Sequence, residues 1–290
     1  MAPDTIASWR HYVTLAKPEI TFLVTISALA GYLVGSSGGI DALNVTVTMV
    51  GIALCSACAS ALNHAAESRF DALMDRTSGR PVPSGIISPS RARWFGYLTG
   101  AAGLGLLCPL VNPLTAILAS VTIVLYVFVY TPLKRKTTLN TLVGTLPGAI
   151  PVIGGYAAAT GRIDLAALPL FAVLLFWQMP HFLSLAWMYR DDYARGGFQM
   201  LPSVEEDGVR TGRQSLIFAL ATLGASLTLI LVSDVTIVYP IAAIILGGYF
   251  CYKALSFHLD RNRHTAKQLF KASIWYVPAM LVLMLFEHFA

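Results

Sequence analysis

The sequence carries little charge for its length. Only 12% of its 290 residues are charged, whereas an ordinary soluble domain carries roughly 25%. Apolar residues make up 56% of the chain, and they fall into uncharged blocks of about 18 to 25 residues, the length at which a helix crosses a hydrocarbon core of roughly 30 Å. This composition excludes a soluble enzyme, a disordered chain and a nucleic-acid-binding protein. It predicts an all-α integral membrane protein surrounded by membrane lipid.

Cysteine is also scarce, and its placement argues against a disulfide framework. The four cysteines all lie within apolar blocks, where a thiol behaves as a small hydrophobic group. Cys55 and Cys58 form one C-x-x-C pair in a stretch rich in alanine and serine, which favours helix packing over metal binding. The sequence also lacks internal repeats and low-complexity tracts. It therefore predicts a single membrane domain over residues 1–290.

Polar breaks between the uncharged blocks predict nine membrane spans. The weakest break lies within residues 94–130, which carry no formal charge. A single helix of that length would measure about 55 Å and exceed one bilayer, and Asn112-Pro113 is the natural turn there. The predicted spans are residues 20–38, 42–64, 94–112, 113–130, 139–160, 165–189, 215–233, 235–252 and 269–286.

Basic residues are distributed unevenly over the loops that nine spans create. Of the 20 lysines and arginines, 19 fall on one side and Arg162 alone falls on the other. Lysine and arginine mark the cytoplasmic side of membrane proteins, so the distribution predicts an N-terminus inside and a C-terminus outside. The net charge of +5 then reflects loops that face an anionic membrane surface.

The second span continues into a polar stripe. One polar residue recurs every four positions: Asn63, Glu67, Asp71 and Asp75. Because no helix breaker occurs before Gly79, we expect one continuous helix that aligns them on one face. Like charges at this spacing repel each other unless a cation lies among them, and Mg²⁺ is bound by one or two carboxylates together with substrate phosphates. The alternative is a solvated helix end whose acids pair with Arg76 or Arg80.

A second acidic pair follows the sixth predicted span. Asp191 and Asp192 lie on the same predicted side of the membrane as the first stripe. Adjacent helical residues point about 100° apart, so one of the two can face the first stripe while the other orients a partner. The sequence leaves open which of them faces inward.

A basic segment lies between the two acidic clusters in the sequence. It contains Lys134, Arg135 and Lys136. Membrane topology alone explains basic loops on this side. A functional interpretation makes the segment a phosphate clamp, since lysine and arginine form charge-assisted hydrogen bonds to phosphate oxygens. Together the carboxylates and bases predict a metal-diphosphate site beneath an apolar helical bundle, which suits an isoprenyl diphosphate.

Six motifs occur in order along nearly the whole chain. They are Ala16-Lys17-Pro18-Glu19-Ile20, Met74-x-Arg76-Thr77-x-x-Arg80-Pro81, Tyr130-Thr131-Pro132-Leu133-Lys134-Arg135, the glycine-containing residues 144–155, Trp177-Gln178-Met179-Pro180-His181-Phe182, and Asp191-Asp192-Tyr193 continuing to Met200-Leu201-Pro202. The chain thereby resembles the UbiA-type intramembrane prenyltransferases, and among them the branch that acts on haem. It departs from many relatives at Glu67, where they carry aspartate, and at Arg195, where the quinone-precursor enzymes carry an acid.

The resemblance implies a UbiA-type bundle of nine transmembrane helices with a specific activity. A farnesyl group would pass from farnesyl diphosphate to a vinyl group of haem b, which yields haem O and releases diphosphate. Water would capture the cation that forms on the porphyrin side. The implied location is the inner membrane of a bacterial cell, with the active site on the cytoplasmic side.

The resemblance also implies roles for particular residues, with Mg²⁺ as the cofactor. The implied metal ligands are Glu67, Asp71, Asp191 and Asp192. The implied diphosphate-binding residues are Asn63, Arg76, Arg80, Lys134 and Arg135. The implied catalytic residues are Asn63, Glu67, Asp71, Asp191 and Asp192. Haem would be bound by His181 and Trp177, with His181 either a ligand of the iron or a proton acceptor.

Two other functions remain as alternatives at this stage. One is an aromatic-acceptor prenyltransferase of quinone synthesis, which would use the same donor. The other is a cation-coupled transporter, but transporters place charged residues near the bilayer midplane on broken helices, whereas these acids cluster at the inner ends of spans. A complex with a haem A synthase or with the assembly of a terminal oxidase is a further expectation from the resemblance.

Overall fold

A computed structural model describes residues 7–36, 39–232 and 236–289. These residues are 81% helical, and the described part of the chain contains no strand. This agrees with the requirement that a chain in lipid satisfy its backbone hydrogen bonds internally.

Thirteen α-helices, numbered in chain order, make up the described residues. They are α1 (Trp9–Ala16), α2 (Pro18–Gly35), α3 (Ala42–Asp71), α4 (Pro89–Leu110), α5 (Pro113–Val124), α6 (Thr131–Leu133), α7 (Asn140–Thr160), α8 (Leu168–Met188), α9 (Arg190–Arg195), α10 (Leu201–Val204), α11 (Val209–Thr228), α12 (Val238–Leu259) and α13 (Arg263–Phe289). A π-helical segment, Leu125–Tyr130, joins α5 to α6. Short 3-10 turns, Leu165–Ala167 and Leu229–Leu231, precede α8 and follow α11.

The chain is a multi-pass membrane protein. Within the described ranges, seven helical segments are long and apolar enough to cross a membrane: Pro18–Gly35, Ala42–Asp71, Pro113–Leu133, Asn140–Thr160, Leu165–Met188, Val209–Leu231 and Val238–Leu259. The other two predicted spans fall on the long helices α4 and α13. The division of residues 94–130 at Asn112-Pro113 is confirmed, because α4 ends at Leu110 and Asn112 caps the start of α5.

Small residues let the helices approach closely. A Cβ atom added to Gly100 of α4 would lie 2.7 Å from the Cys58 sulfur of α3, and one added to Gly155 of α7 would lie 1.7 Å from the Ala28 carbonyl oxygen of α2. Small interfacial residues are the usual means of packing helices in membranes. The interpretation of Cys58 as a helix-packing residue is confirmed.

The expectation that the acidic helix continues to Gly79 is wrong. Helix α3 ends at Asp71, and the chain turns there. The turn buries Met74 in a cluster that includes Ala186 and Phe198, so apolar packing outweighs the helical pattern of the sequence. Asp75 is consequently not on the face of α3 that carries the other members of the stripe.

Candidate functional site

An apolar cavity of about 280 Å³ lies between α2, α3, α5, α7 and α8. Its walls are mostly apolar, with Val24, Ile52 and Ala59 among its lining residues. Tyr126 and Tyr130 also line it, and both belong to the π-helical segment. Such segments occur often at functional sites. The Lys134 Nζ lies 4.7 Å from the centre of the Tyr130 ring, so charged side chains lie next to the tyrosine end of this apolar cavity.

A buried ion pair joins α3 to the segment after α6. The Lys134 Nζ lies 2.9 Å from Glu67 Oε1 and 3.0 Å from Oε2, and it donates a hydrogen bond to Oε2. It also lies 4.7 Å from the centre of the Tyr130 ring. Burial lowers the pKa of Lys134, but the Glu67 carboxylate and the hydroxyl groups of Tyr130 and Tyr126 together raise it by more, so the pKa lies above its usual range. Glu67 Oε1 is buried and accepts no hydrogen bond from the described residues.

One helical turn later, Asp71 forms a second ion pair. Its Oδ2 lies 2.8 Å from Nη1 of Arg80, and the Thr77 hydroxyl donates to its backbone carbonyl oxygen over 2.8 Å. The carboxylate is buried. The ion-pair alternative inferred from the sequence therefore holds for Asp71 and Arg80. This ion pair lies next to the Glu67–Lys134 pair at the end of the cavity, and a solvated helix end does not explain two such pairs together.

Asn63 links three elements at the same end of the bundle. Its Nδ2 donates to the Thr131 hydroxyl over 3.0 Å, and its Oδ1 accepts a hydrogen bond of 3.3 Å from Lys17 Nζ. The Thr131 hydroxyl in turn donates to the Tyr126 carbonyl oxygen. The amide is thus fully oriented, and it brings the start of α2 against the end of α3.

The sequence alone gave Lys17 no role, although it lies in the motif Ala16-Lys17-Pro18-Glu19-Ile20. It has a φ of 47°, and among the described residues it is the one non-glycine residue with a positive φ. Such backbone strain persists where the surroundings hold it, often at functional sites. Burial lowers the pKa of Lys17. The detectable signal was a lysine directly before Pro18 at the start of a span, opposite a polar stripe.

The structure resolves which member of the second acidic pair faces inward. Asp192 is buried and accepts hydrogen bonds of 3.4 Å from the backbone N–H groups of Asp75 and Arg76, and it also pairs with Arg195. The Asp191 side chain is 89% exposed, with its nearest cation at 3.9 Å. Asp192 therefore anchors the turn after α3, while Asp191 lies outside the charged cluster.

Two predicted phosphate-binding arginines lie at the rim of this cluster. The Arg76 guanidinium lies 5.2 Å from the Tyr189 ring centre and donates to the Tyr193 hydroxyl over 3.2 Å. The Arg135 guanidinium lies 4.3 Å from the Phe70 ring centre. Stacking on aromatic faces holds such side chains in place and leaves their charge accessible.

Trp177 and His181 form part of the cavity wall. Their ring centres lie 5.0 Å apart in a stacked arrangement. The ring of Phe270, which belongs to α13, lies 4.8 Å from the His181 ring. The indole N–H donates to the Ser273 carbonyl oxygen over 2.8 Å. Both predicted haem-binding residues thus face the same cavity, and α13 fixes their orientation.

The residues present fit a divalent metal that binds together with a diphosphate. The described residues include no group of three or more histidine, cysteine, aspartate or glutamate side chains that could hold a metal by themselves. Glu67 offers a buried oxygen whose 2.9 Å contact with Lys134 Nζ lacks hydrogen-bond geometry, and Asp71 lies one turn further on the same helix. Two carboxylates are the number that Mg²⁺ commonly uses when phosphates supply the other ligands.

The chain is similar to known proteins over nearly its whole length. The model of the UbiA prenyltransferase family matches residues 24–277. The chain belongs to the UbiA prenyltransferase family. As a UbiA prenyltransferase it is an enzyme, so the transporter alternative is wrong.

Curated relatives of this UbiA prenyltransferase cover nearly all of it. The protoheme IX farnesyltransferase of Salinibacter ruber is 49% identical over 96% of this chain and 98% of its own length. That of Solibacter usitatus is 39% identical over 96% and 98%. The mitochondrial protoheme IX farnesyltransferase of Homo sapiens is 39% identical over 93% of this chain and 60% of the human protein.

Solved structures share the fold of this UbiA prenyltransferase. One, from a study of digeranylgeranylglyceryl phosphate synthase in membranes, has a TM-score of 0.79 at 18% identity, over 96% of this chain and 98% of that one. A UbiA homolog from Archaeoglobus fulgidus bound to GPP and Mg²⁺ has a TM-score of 0.67 at 13% identity, over 94% and 99%. The prediction of an all-helical UbiA-type fold is confirmed.

Proposed function

We propose that this enzyme transfers the farnesyl group of farnesyl diphosphate to a vinyl group of haem b, which yields haem O and diphosphate. The observation that carries the proposal is the 49% identity, over 96% of the chain, to a relative named a protoheme IX farnesyltransferase. The geometry supports a prenyl diphosphate as the donor, because an apolar cavity ends beside buried carboxylates and cations. The hydrocarbon tail of such a donor fits the apolar cavity, and its diphosphate fits the carboxylates and cations.

The diphosphate binds among the cations at the end of the cavity. Lys134 and Arg80 lie nearest to the two carboxylates, and we propose that they exchange these carboxylates for phosphate oxygens when substrate enters. Lys17 and Asn63 extend the donor set toward α2. The two rim arginines, Arg76 and Arg135, add charge from outside.

Glu67 and Asp71 would hold Mg²⁺ jointly with the diphosphate. When bound, Mg²⁺ supplies charge neutralisation to the leaving diphosphate. Of the second acidic pair, the buried Asp192 is the member that we propose to support this site, since Asp191 points into solvent. Asp192 does so by fixing the turn that carries Arg76 and leads to Arg80.

The cavity walls protect the reaction. Loss of diphosphate leaves an allylic cation at the end of the farnesyl chain, next to the Tyr126 and Tyr130 rings. Aromatic faces attract cations, and apolar walls exclude water until the vinyl carbon has attacked. Trp177 and His181 lie against the porphyrin edge in this arrangement. Water then captures the cation on the porphyrin side.

We further propose nine membrane spans in one domain, with the N-terminus inside and the C-terminus outside. The 19-to-1 distribution of basic residues supports this topology, and it puts the charged end of the cavity on the cytoplasmic side of a bacterial inner membrane. The hydrogen bonds of Lys17 and Lys134 to α3 support the placement of these loops at one end of the bundle. A complex with a haem A synthase or a terminal oxidase stays a prediction.

One assay tests the proposed activity. Membranes that contain the protein are supplied with haem b, labelled farnesyl diphosphate and Mg²⁺, and the haem fraction is analysed for label. We expect labelled haem, its loss with EDTA and its return with excess Mg²⁺. Label in hydroxybenzoate, offered as a competing acceptor, without label in haem would instead support the quinone-branch alternative.

A further inference from the structure

Two polar atoms of α8 belong to residues that line the apolar cavity, and the choice between iron ligand and proton acceptor for His181 is still open. One is the amide oxygen of Gln178 and the other is Nε2 of His181; both residues line the cavity. They are three positions apart, and side chains at this spacing are neighbours on one helix face. A polar atom beside an apolar cavity is costly unless it serves a partner.

The amide of Gln178 is locked in one orientation. Its Nε2 donates to the Thr145 carbonyl oxygen over 3.1 Å and to the Leu174 carbonyl oxygen over 2.9 Å. Both protons of the amide nitrogen are therefore used, and Oε1 must point the other way. A Cβ atom at position 148 would lie 2.0 Å from this oxygen, so Gly148 provides the space that the oxygen occupies.

The contacts of His181 favour one tautomer of its ring. The Ser273 hydroxyl donates to the Phe270 carbonyl oxygen over 2.6 Å and lies 2.8 Å from Nδ1 of His181. A hydroxyl has one proton to donate, and with that proton on the Phe270 carbonyl oxygen we assign Ser273 as the acceptor from His181, which puts the hydrogen on Nδ1. Nε2 then carries the lone pair. The Trp177 and Phe270 rings cover the faces of the imidazole, so a ligand reaches it along its edge.

We propose that Gln178 Oε1 and His181 Nε2 hold the water molecule that ends the reaction, with His181 as its base. The inference rests on the proposed function. A water between two acceptors donates a proton to each, which leaves its lone pairs free to attack a cation. Two hydrogen bonds of about 2.8 Å span the distance between neighbouring side chains on one helix face.

The step balances in atoms and electrons. The C1–oxygen bond of farnesyl diphosphate breaks, and its electron pair leaves with diphosphate. The terminal vinyl carbon then bonds to C1 of the allylic cation with its π electrons. The charge then lies on the carbon attached to the porphyrin. The water oxygen bonds to this carbon, one proton passes to Nε2 of His181, and the other remains in the new hydroxyl group. Neither an oxidant nor a reductant is required.

The paired acceptors favour water over direct ligation of the haem iron. An iron ligand needs Nε2 alone and gives no use to the locked oxygen of Gln178. Ser273 acts through His181 as a positioning residue, because it keeps the proton on Nδ1 and the lone pair at the cavity. Neutral imidazole with a free Nε2 is the form that accepts a proton.

The test is the product distribution. In water enriched in oxygen-18, the wild-type enzyme should place the label in the hydroxyl group of farnesylated haem. In Gln178→Leu and His181→Phe, the cation should lose a proton instead, which gives a farnesylated haem lighter by one water. We expect the hydroxylated product of His181→Phe to form about 100-fold more slowly, typical for loss of a general base. His181→Phe removes the proposed base but keeps an aromatic ring beside Trp177. It therefore tests the same water molecule without disturbing the amide of Gln178.

Matched controls separate this role from a structural one. Thr145→Val removes a hydroxyl that donates to the Leu142 carbonyl oxygen and keeps the carbonyl that accepts from Gln178, so its ratio of hydroxylated to dehydrated product should equal the wild-type ratio. Ser273→Ala should lower that ratio and Ser273→Thr should restore it. Wild-type ratios in Gln178→Leu and His181→Phe would overturn the inference. A shifted Soret band of bound haem in His181→Phe, together with an unchanged product ratio, would also overturn it, because this result would identify His181 as an iron ligand. A wild-type enzyme that forms no farnesylated haem would instead refute the proposed function.

Discussion

At the scale of single residues, ion pairs between one acid and one base hold together the charged end of the cavity. The carboxylates of Glu67 and Asp71 are buried and pair with the partly exposed Lys134 and Arg80, and a charge buried without its partner is strongly destabilising. The pairs therefore keep four charged groups at the end of an apolar cavity in the resting protein. A diphosphate with a divalent cation can enter by exchanging partners, without leaving any of these groups unpaired.

The carboxylates of this cluster are predicted to be essential for turnover. Glu67→Gln or Asp71→Asn should lower kcat at least about 100-fold, as expected when charge stabilisation of a leaving group is lost, while the protein still accumulates in membranes. Each amide retains an oxygen that can accept from Lys134 or Arg80. The control is Asp75→Asn, which alters an exposed acid of the same sequence stripe and should keep most of the activity. Wild-type rates in both site variants would exclude the metal site.

Lys17 is predicted to bind the diphosphate through its ammonium group. Because burial lowers its pKa, it loses its proton at a lower pH than an exposed lysine does. The affinity for farnesyl diphosphate should therefore be highest below the lowered pKa of Lys17 and fall as the pH rises through it. Lys17→Arg stays charged throughout, so in this variant the fall should be absent. Binding of labelled farnesyl diphosphate at a series of pH values measures this, and identical profiles would remove Lys17 from the site.

At the scale of helices, the cavity depends on close approaches at glycine. The backbones of α2 and α7 touch where Gly155 faces the Ala28 carbonyl oxygen, and this contact fixes one wall of the cavity. The π-helical segment after α5 has the opposite effect. It widens the helix locally, so that both Tyr126 and Tyr130 face the cavity and Thr131 meets Asn63.

The contact between α2 and α7 gives a prediction about stability. Gly155→Val should destabilise the protein by about 1–3 kcal/mol, because overpacked cores force backbone shifts, and it should lower the temperature of unfolding in detergent. Gly154→Ala is the matched control one residue away, since a Cβ there meets no atom within 4 Å. Equal unfolding temperatures of the two variants would show that the helices can separate without cost.

At the scale of the whole molecule, polarity is arranged opposite to that of a soluble protein. Large apolar side chains such as Trp94, Ile245 and Trp275 are exposed on the outside of the bundle, where lipid covers them. The described ion pairs that are buried lie at one end of the interior. This arrangement gives a substrate with a hydrocarbon tail a lipid-like path and a charged head group an ionic end point.

Topology provides the prediction at this scale. A reporter fused after Ala290 should report the outside of the membrane, and a reporter inserted before Ser88 should report the inside. Nine spans and the distribution of basic residues both require opposite sides. If both reporters are found on one side, the count of nine spans is wrong.

The sequence by itself determined the membrane class, the helical blocks and the polar types that meet at one end. These follow from local properties: an uncharged block of about 20 residues is stable in lipid only as a helix, and loop charge depends only on composition. The family followed from short motifs, which are read directly from neighbouring residues in the sequence. These inferences required no knowledge of contacts between distant residues.

Tertiary structure alone decided the end of α3, the inward member of the acidic pair and the position of Lys17 beside Asn63. Each depends on packing between elements far apart in the chain. Met74 turns the chain because it has an apolar cluster to enter, and Asp192 faces inward because the turn after α3 offers it backbone N–H groups. Likewise, the hydroxyl group that Nδ1 of His181 meets belongs to Ser273, 92 residues away. A helical pattern fixes the direction of a side chain around its own axis, but only the neighbouring helices determine what that side chain meets.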